Sequence, residues 1–407
     1  MGDGVPSGTA AQSIASTAPA RPAPAVPKAG VTGIRQTRGM SKPASTARLR
    51  AARLDAHGLR TTLPSITAAV RRLGAVQAQD FAAARWVLGA RVSGSVSADV
   101  DAAIESREVV RSWPMRGTLH LLPTDMLRPI LEITRPRILQ RAATRHRQLE
   151  LDRDVYARAR ELAEAALAGG ASLSREQLFA AWESAGIRTT GQRGYHLIWW
   201  LAQEAVVCCG PVEGRGQRFV LLDEWAPPVG RPADRDETLA NLFVAYAAGH
   251  GPVPVRDFAW WSGLTLTDAR TAFTVAGDAL ATFDDEHVVA ADAGWAADPA
   301  STTPRTSRRF ALAAFDEYFL GYTDRGDVCD PRHASRVVPG LNGVFQPILV
   351  NGAGVVEGLW KATRAKGVAS VALDGFERAI DPSGYEAAFA RWARFHGERL
   401  GAITAIG

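Results

Sequence analysis

The segment "LSREQLFAAWESAGIRTTGQRGYHLIWWLAQEAVVCCGPVEGRGQRFVLLDEWAP" limits the possible folds of this chain more than any other stretch. Ser174 sits where a helix cap belongs, with Glu176 in the first turn. A second helix runs from "GQRGYHLIWWLAQ" into the strand-like "AVVCCG", and a glycine-rich tip turns the chain back through "RFVLL". Helix, turn, helix and hairpin wing describe a winged-helix unit. A chain of 407 residues has room for several such units.

The pattern recurs on both sides. Upstream, "STARLRAARLDAHGL" reads as a basic amphipathic helix. In "LPSITAAVRRLGAV" Ser65 is the expected cap and Gly74 the expected stop. "SADVDAAIESREVV" follows as a short helix, and "VVRSWPMRGTLHLLP" is extended, with "RGTLHLL" as its strand. Downstream, "VRDFAWWSGLTLTDARTAF" places Gly263 in a turn and Thr267 or Asp268 at the next cap. "HVVAA" and "FALAAFDEYFLGYTDR" complete this third copy. The C-terminal part alternates as strands do, and Asn351-Gly352 with Gly354 signals a hairpin turn. A final helix, "GYEAAFARWARFHGERL", closes the chain. The expected fold is α+β, with about three tandem winged-helix modules over 47–125, 126–230 and 231–325 and a C-terminal β-rich element over 326–407. Residues 1–46, rich in Ala, Pro, Ser and Thr with scattered basic residues, are expected to be a disordered tail.

Composition excludes some classes. Apolar runs are too short for a membrane span, and the N-terminal tail lacks the apolar region of a secretory signal. Cys208, Cys209 and Cys329 are an odd set, two of them adjacent, which suits a reducing, cytoplasmic location. No cysteine and histidine spacing suggests a structural zinc site, so neither metal nor cofactor is expected. The net charge of +5, with arginine far outnumbering lysine, is compatible with nucleic acid.

The remaining puzzle is "LGAVQAQDFAAARWVLGARV". Gln77 and Gln79 lie two apart. On a helix they would diverge by about 200°, but on an extended link they share a face. Gly74 ends the preceding helix and Asp80 can cap the next, so the extended link is the natural reading, with Ala78 facing the core. Glutamines in such a link ordinarily bond loose backbone groups at the junction. A chemical role needs a reaction for which a neutral amide suffices. An amide oxygen can orient a water, but it is a poor base. A cationic N7-alkylated guanine leaves easily as a neutral base, so water placement and electrostatic support of the oxocarbenium ion can be enough.

"GAVQAQDFAAARW", "VVRSWPMRGTLHLL", "DFAWWSGLT", "FDEYFLGYTDR" and "VEGLWKATR" together resemble the AlkZ/YcaQ family of winged-helix DNA glycosylases over roughly residues 44–400. The family motif is Gln, an apolar residue, then Gln or Asp, and Gln77-Ala78-Gln79 matches its Gln–Gln form. The resemblance implies excision of bulky N7-alkylpurines and unhooking of interstrand crosslinks. The Gln–Gln form is tied to self-resistance in makers of DNA-alkylating antibiotics. It also implies three winged helices around a concave basic channel, with a C-terminal hairpin that probes the DNA, matched here to Asn351 and Gly352. Gln77 and Gln79 would be the catalytic pair. Arg111, Arg116, His120, Arg193 and His196 are candidate DNA contacts, while Asp316, Glu317, Tyr318 and Asp324 have no assigned role. No lysine neighbours the glutamines in sequence to act as a Schiff-base nucleophile, so a monofunctional, monomeric enzyme acting on alkylated or crosslinked double-stranded DNA is expected. A non-catalytic winged-helix transcriptional regulator is the alternative, although the chain shows no dimerisation helix. A protein-binding scaffold of winged helices is a third reading.

Overall fold

The computed structural model describes residues 42–214, 216–228, 234–293, 307–341 and 343–406. The chain runs through α1 (Lys42–Ala56), α2 (Ile66–Leu73), β1 (Val76–Gln77), α3 (Phe81–Gly89), α4 (Ser97–Glu105), β2 (Val109–Met115) and β3 (Thr118–Pro123). Positions 42–46, expected in the tail, already belong to α1; residues 1–41, the rest of that expectation, lie outside the described residues. Ser65 caps α2 by accepting from the Ala68 N–H at 3.1 Å, and Gly74 ends it at φ 72°. Asp80 caps α3 in the same way, accepting from the Ala83 N–H at 3.0 Å. Between these two caps the chain is extended, as its short length requires.

Next come α5 (Thr124–Gln148), α6 (Arg153–Leu167), α7 (Arg175–Ser184), α8 (Arg193–Gln203), β4 (Val207–Glu213), β5 (Gly216–Leu221) and the short α9 (Leu222–Trp225). The 25-residue α5 carries Pro129 and Pro136 inside it. Each proline removes one backbone hydrogen bond, which masks the helix in the sequence pattern. A buried apolar set, Leu127, Ile130, Leu131, Ile133 and Ile138, holds it against the rest of the fold. The expected helix–helix–hairpin follows in α7, α8, β4 and β5.

The third stretch holds α10 (Arg235–His250), α11 (Val255–Ser262), α12 (Leu266–Ala276), β6 (Leu280–Thr282) and β7 (Val288–Ala290). Gly263 turns the chain at φ 75°. The cap of α12 is Thr265, reciprocated by Asp268 in a capping box, and not Thr267 or Asp268. The last part contains β8 (Phe310–Leu312), α13 (Glu317–Leu320), α14 (Ala334–Val337), β9 (Ile348–Val350), β10 (Val356–Ala365), β11 (Val368–Gly375), α15 (Glu386–Phe395) and β12 (Arg399–Ile406).

Two five-stranded sheets organise these elements, in the orders β1-β3-β2-β4-β5 and β12-β11-β10-β9-β8, and β6 pairs with β7 alone. A pairing of Arg111 with Cys209 joins the first two hairpins into one sheet. Phe310 pairs with Val350, so β8 is the edge of the C-terminal sheet and not part of the third helical stretch, where its sequence position had put it. The apolar core reflects this arrangement. Leu54, Val70, Val87, Ile104 and Leu121 pack in one cluster with Phe310, Leu349, Trp360, Phe389 and Phe395. The first stretch and the last therefore share a core although about two hundred residues separate them in sequence.

The segment "FDEYFLGYTDR" passes between these parts and is buried. Asp316 makes a two-pronged ion pair with Arg91, at 2.8 and 3.0 Å, with neither side chain exposed. It also caps α13 through the Tyr318 N–H at 2.9 Å. Tyr318 donates to the Gly354 carbonyl at 2.7 Å, and Tyr322 donates to the His250 carbonyl at 2.6 Å. Removing one member of a buried pair strands the other charge. Asp316→Ala is therefore expected to lower unfolding stability by about 3–5 kcal/mol, read as a fall in the urea midpoint. An unchanged midpoint would show that the Arg91 charge finds water or another partner.

Candidate active site

Gln77 ends β1, directly opposite His120 on β3. Ala78 follows, fully buried in the shared core, and Gln79 is half-buried. Val76 and Ala78 are fully buried, Gln77 is buried with about a tenth of its surface open, and the chain bends at Gln79. Backbone bonds pin the link, since Ala78 N–H donates to the Leu119 carbonyl at 2.7 Å.

Each amide has its own partners. The Gln77 Oε1 accepts from Arg116 Nη2 at 3.1 Å. The Gln77 backbone N–H donates to Glu317 Oε1 at 3.0 Å. Gln79 Oε1 accepts from the Leu119 N–H at 3.3 Å, and its side chain lies close to the Tyr195 hydroxyl. Trp113 Nε1 donates to that same Tyr195 hydroxyl at 3.2 Å.

Arg116 occupies the tip of the β2–β3 hairpin, where Arg116 at φ 55° and Gly117 at φ 75° make the two-residue turn that a tight hairpin favours. "RGTLHLL" is thus turn followed by strand, not strand throughout. From this tip Arg116 folds back over Gln77, donates to His120 Nε2 at 3.0 Å and lies 5.5 Å from the Trp260 ring centroid. His120 donates from Nδ1 to the Thr118 carbonyl at 2.8 Å, leaving Nε2 as the acceptor that Arg116 requires. Burial, reinforced by the Arg116 charge, holds the His120 imidazole down to about 3, so it is neutral near pH 7.

Glu317 lies beneath Gln77 with no exposed surface. Burial alone would raise its carboxyl. The His250 hydrogen bond and charge, the Arg116 charge and the Gln77 N–H outweigh burial and hold it below the ordinary range. Its Oε2 accepts from Trp261 Nε1 at 3.1 Å and contacts His250 Nε2 at 3.3 Å. The sequence had marked Glu317 without a use for it; the only signal was a charged residue set among aromatic ones.

The other expected DNA contacts are placed unevenly. Arg111 donates to the Ala78 carbonyl from Nε (3.1 Å) and Nη2 (2.7 Å), and to Gln217 Oε1 at 2.7 Å. It thus holds the peptide between the two glutamines. Arg193 is buried and donates to the carbonyls of Arg188, Leu149 and Glu150, closing the C-terminal end of α5. His196 is buried edge-on against His146 at 5.2 Å, and burial brings it down to about 4. It is the neighbouring Tyr195 that brings α8 to the glutamines. Asn351 folds its amide oxygen onto the Ala353 and Val355 N–H groups, and Arg50 of α1 grips the Ala353 carbonyl at 3.0 Å. The turn at Asn351 and Gly352 is therefore docked against α1. The hairpin that projects is β10–β11, turned by Lys366 (φ 51°) and Gly367 (φ 74°), with Lys361, Arg364 and Lys366 exposed. Asp324 accepts from the Gly326 N–H in its own loop.

Among the described residues, no group of three or more His, Cys, Asp or Glu side chains could hold a metal ion, and no helix is long and apolar enough to cross a membrane.

Residues 70–395 match the family described as DNA glycosylase AlkZ-like. The chain is 28% identical over 319 residues to an interstrand DNA cross-link repair glycosylase of Streptomyces sahachiroi, covering 74% of this chain and 83% of that protein. The fold is similar to the solved Streptomyces sahachiroi DNA glycosylase AlkZ, with a TM-score of 0.71 and 24% identity, over 88% of this chain and 99% of that one. The chain belongs to the AlkZ-like family and is a DNA glycosylase.

The buried histidines carry a pH signature. His57 is held well below its usual value by burial, with His250, Arg91 and Arg53 acting in the same direction, and His120 is held to about 3. Their folded values lie below the unfolded one near 6.5, so the stability they confer is complete above that pH. It is lost as pH falls toward the folded values, with a slope of at most about 1.4 kcal/mol per pH unit for each. Urea midpoints are expected to fall between pH 7 and pH 5, and His120→Gln should shallow that dependence. Equal midpoints at the two pH values would contradict the assignment of neutral imidazoles.

Proposed function

We propose that this DNA glycosylase hydrolyses the N-glycosidic bond of bulky N7-alkylguanine adducts and unhooks interstrand crosslinks. The observation that carries this reading is the Gln77-Ala78-Gln79 link itself, with Ala78 in the core and the Gln77 oxygen held by Arg116. The related Streptomyces protein is named for crosslink repair, and the Gln-x-Gln motif matches the family form that the sequence resembles. Two uncharged amides suit a cationic leaving group. The C1′–N9 bond breaks with its electron pair passing to N9, which cancels the charge on the base. The oxygen of a water then bonds C1′ and its proton passes to solvent.

The helix–helix–hairpin stretches would act as three winged helices cradling duplex DNA in a concave basic channel. Arg137 and Arg141 lie one turn apart on α5 without a carboxylate partner among the described residues, and they suit phosphate contact. The exposed basic hairpin β10–β11 is the element suited to probe the duplex, in place of the docked Asn351–Gly352 turn. Lys361 and Lys366 are on that hairpin and not beside Gln77. This supports monofunctional base release without a Schiff base. The enzyme would act as a monomer in the cytoplasm, serving self-resistance in a producer of a DNA-alkylating compound.

The test is single-turnover release of N7-alkylguanine from a duplex, and unhooking of a crosslinked duplex. Wild type is expected to release the base, with Gln77→Ala and Gln79→Ala slower by about 10²–10³-fold at near-normal DNA affinity. A wild-type protein that releases no base from either substrate would overturn the reading.

A further inference from the structure

We propose that Gln77 works as a hydrogen-bond donor through its Nε2, turned outward by an Arg116–His120 clamp on its oxygen, and that it grips the acceptor edge of the departing purine. The inference rests on the glycosylase reading and adds a division of labour between the two glutamines.

The orientation follows from donor and acceptor chemistry. Arginine has donors and no acceptor, so the Gln77 atom 3.1 Å from Arg116 Nη2 must be the carboxamide oxygen. The same Nη2 is bonded at 3.0 Å to His120 Nε2, which must be the unprotonated nitrogen for the same reason. That tautomer is secured on the other side of the ring by the Nδ1–H bond to the Thr118 carbonyl. Arg116, Gln77 and His120 therefore have one mutually consistent arrangement. In it the Gln77 NH2 makes no hydrogen bond among the described residues and is not among the buried polar atoms left without a partner.

The backbone of Gln77 is fixed independently. Its N–H is held by the buried Glu317 carboxylate, which is itself set by Trp261 and His250. Glu317 acts through the main chain and Arg116 through the amide oxygen, so both are positioning residues. Gln79 differs. Its oxygen accepts from the Leu119 N–H, and its side chain lies close to Tyr195. The second lone pair of that oxygen is the acceptor available to orient water.

A donor at Gln77 suits the bond that breaks. As the C1′–N9 electron pair flows into the purine, electron density rises at its ring nitrogens and carbonyl oxygen. A donor aimed there stabilises the transition state more than the cationic ground state. The guanidinium on the amide oxygen polarises the carboxamide and strengthens its N–H groups as donors. No proton transfer is required of either residue.

The experiment is single-turnover excision of N7-methylguanine from a duplex, at enzyme concentrations that saturate binding. Gln77→Glu keeps the size of the side chain and the partner of Arg116 but has no amide donor. It is expected to fall to the rate of Gln77→Ala, about 10²-fold or more below wild type. A Gln77→Glu rate within tenfold of wild type, or above it, would overturn the donor assignment, because a carboxylate can only accept. Arg116→Gln is expected to lower the excision rate at saturation with DNA affinity unchanged. If Arg116→Gln weakens binding alone, Arg116 is a phosphate contact and the clamp is wrong. Urea midpoints for each variant separate these effects from unfolding. Absence of base release by wild type would instead overturn the glycosylase substrate reading and is distinguishable from failure of the clamp.

Discussion

Two adjacent buried carboxylates, Asp316 and Glu317, fix the relation of the first part of the chain to the rest. Charged groups do not enter a core unless paired. Asp316 is paired with Arg91 of the first stretch, and Glu317 receives the Gln77 N–H of that stretch together with Trp261 and His250 of the third. Arg91 also contacts His57 Nδ1 at 3.3 Å, and His57 Nε2 meets the Tyr322 hydroxyl at 2.8 Å. One short segment thus ties the turn after α1, β1, α10, α11 and the β9–β10 turn through polar bonds with defined directions. Apolar contacts alone could slide; a two-pronged Arg–Asp pair cannot do so without losing both prongs.

This constraint explains how a two-residue strand can be held in one position. β1 is too short to be stable by its own ladder, with only Val76 and Gln77 paired to β3. Its position is set from below by Glu317, from the side by Arg111 on the Ala78 carbonyl, and from above by Arg116. An amide cannot be tuned by changing its protonation, as a carboxylate or imidazole can. Orientation is the property the protein can control, and here neighbouring groups of fixed hydrogen-bonding sense control it.

The extended geometry of the Gln-x-Gln link was legible in the sequence because Gly74 and Asp80 are local signals, and both behave as their types predict. The helix–helix–hairpin order from α7 to β5 was legible for the same reason. What was not legible depends on distant contacts. The prolines in α5 speak against a helix locally and are overruled by packing. β8 was misplaced because its partner β9 is nearly forty residues away and nothing in "FALAA" names that partner. Arg111 and Arg193 looked like surface cations, yet each closes on backbone carbonyls brought in by the fold. Composition cannot tell an arginine that meets solvent from one that meets a peptide oxygen. Even Asn351 and Gly352, a good hairpin signal, gave the turn but not its docking on α1.

The role of His120 follows from the same reasoning. A histidine beside a glutamine pair invites assignment as a general base, but this one has both nitrogens engaged and is held to about 3. Its use lies in staying neutral. Were it protonated, Nε2 would become a donor facing the Arg116 guanidinium, and the bond that steadies Arg116 over Gln77 would turn repulsive. Burial is what prevents this, at a cost in stability below the pH where free histidine takes up a proton. Beside Gln77 and Gln79, whose amides never titrate, stands an imidazole that stays neutral near pH 7.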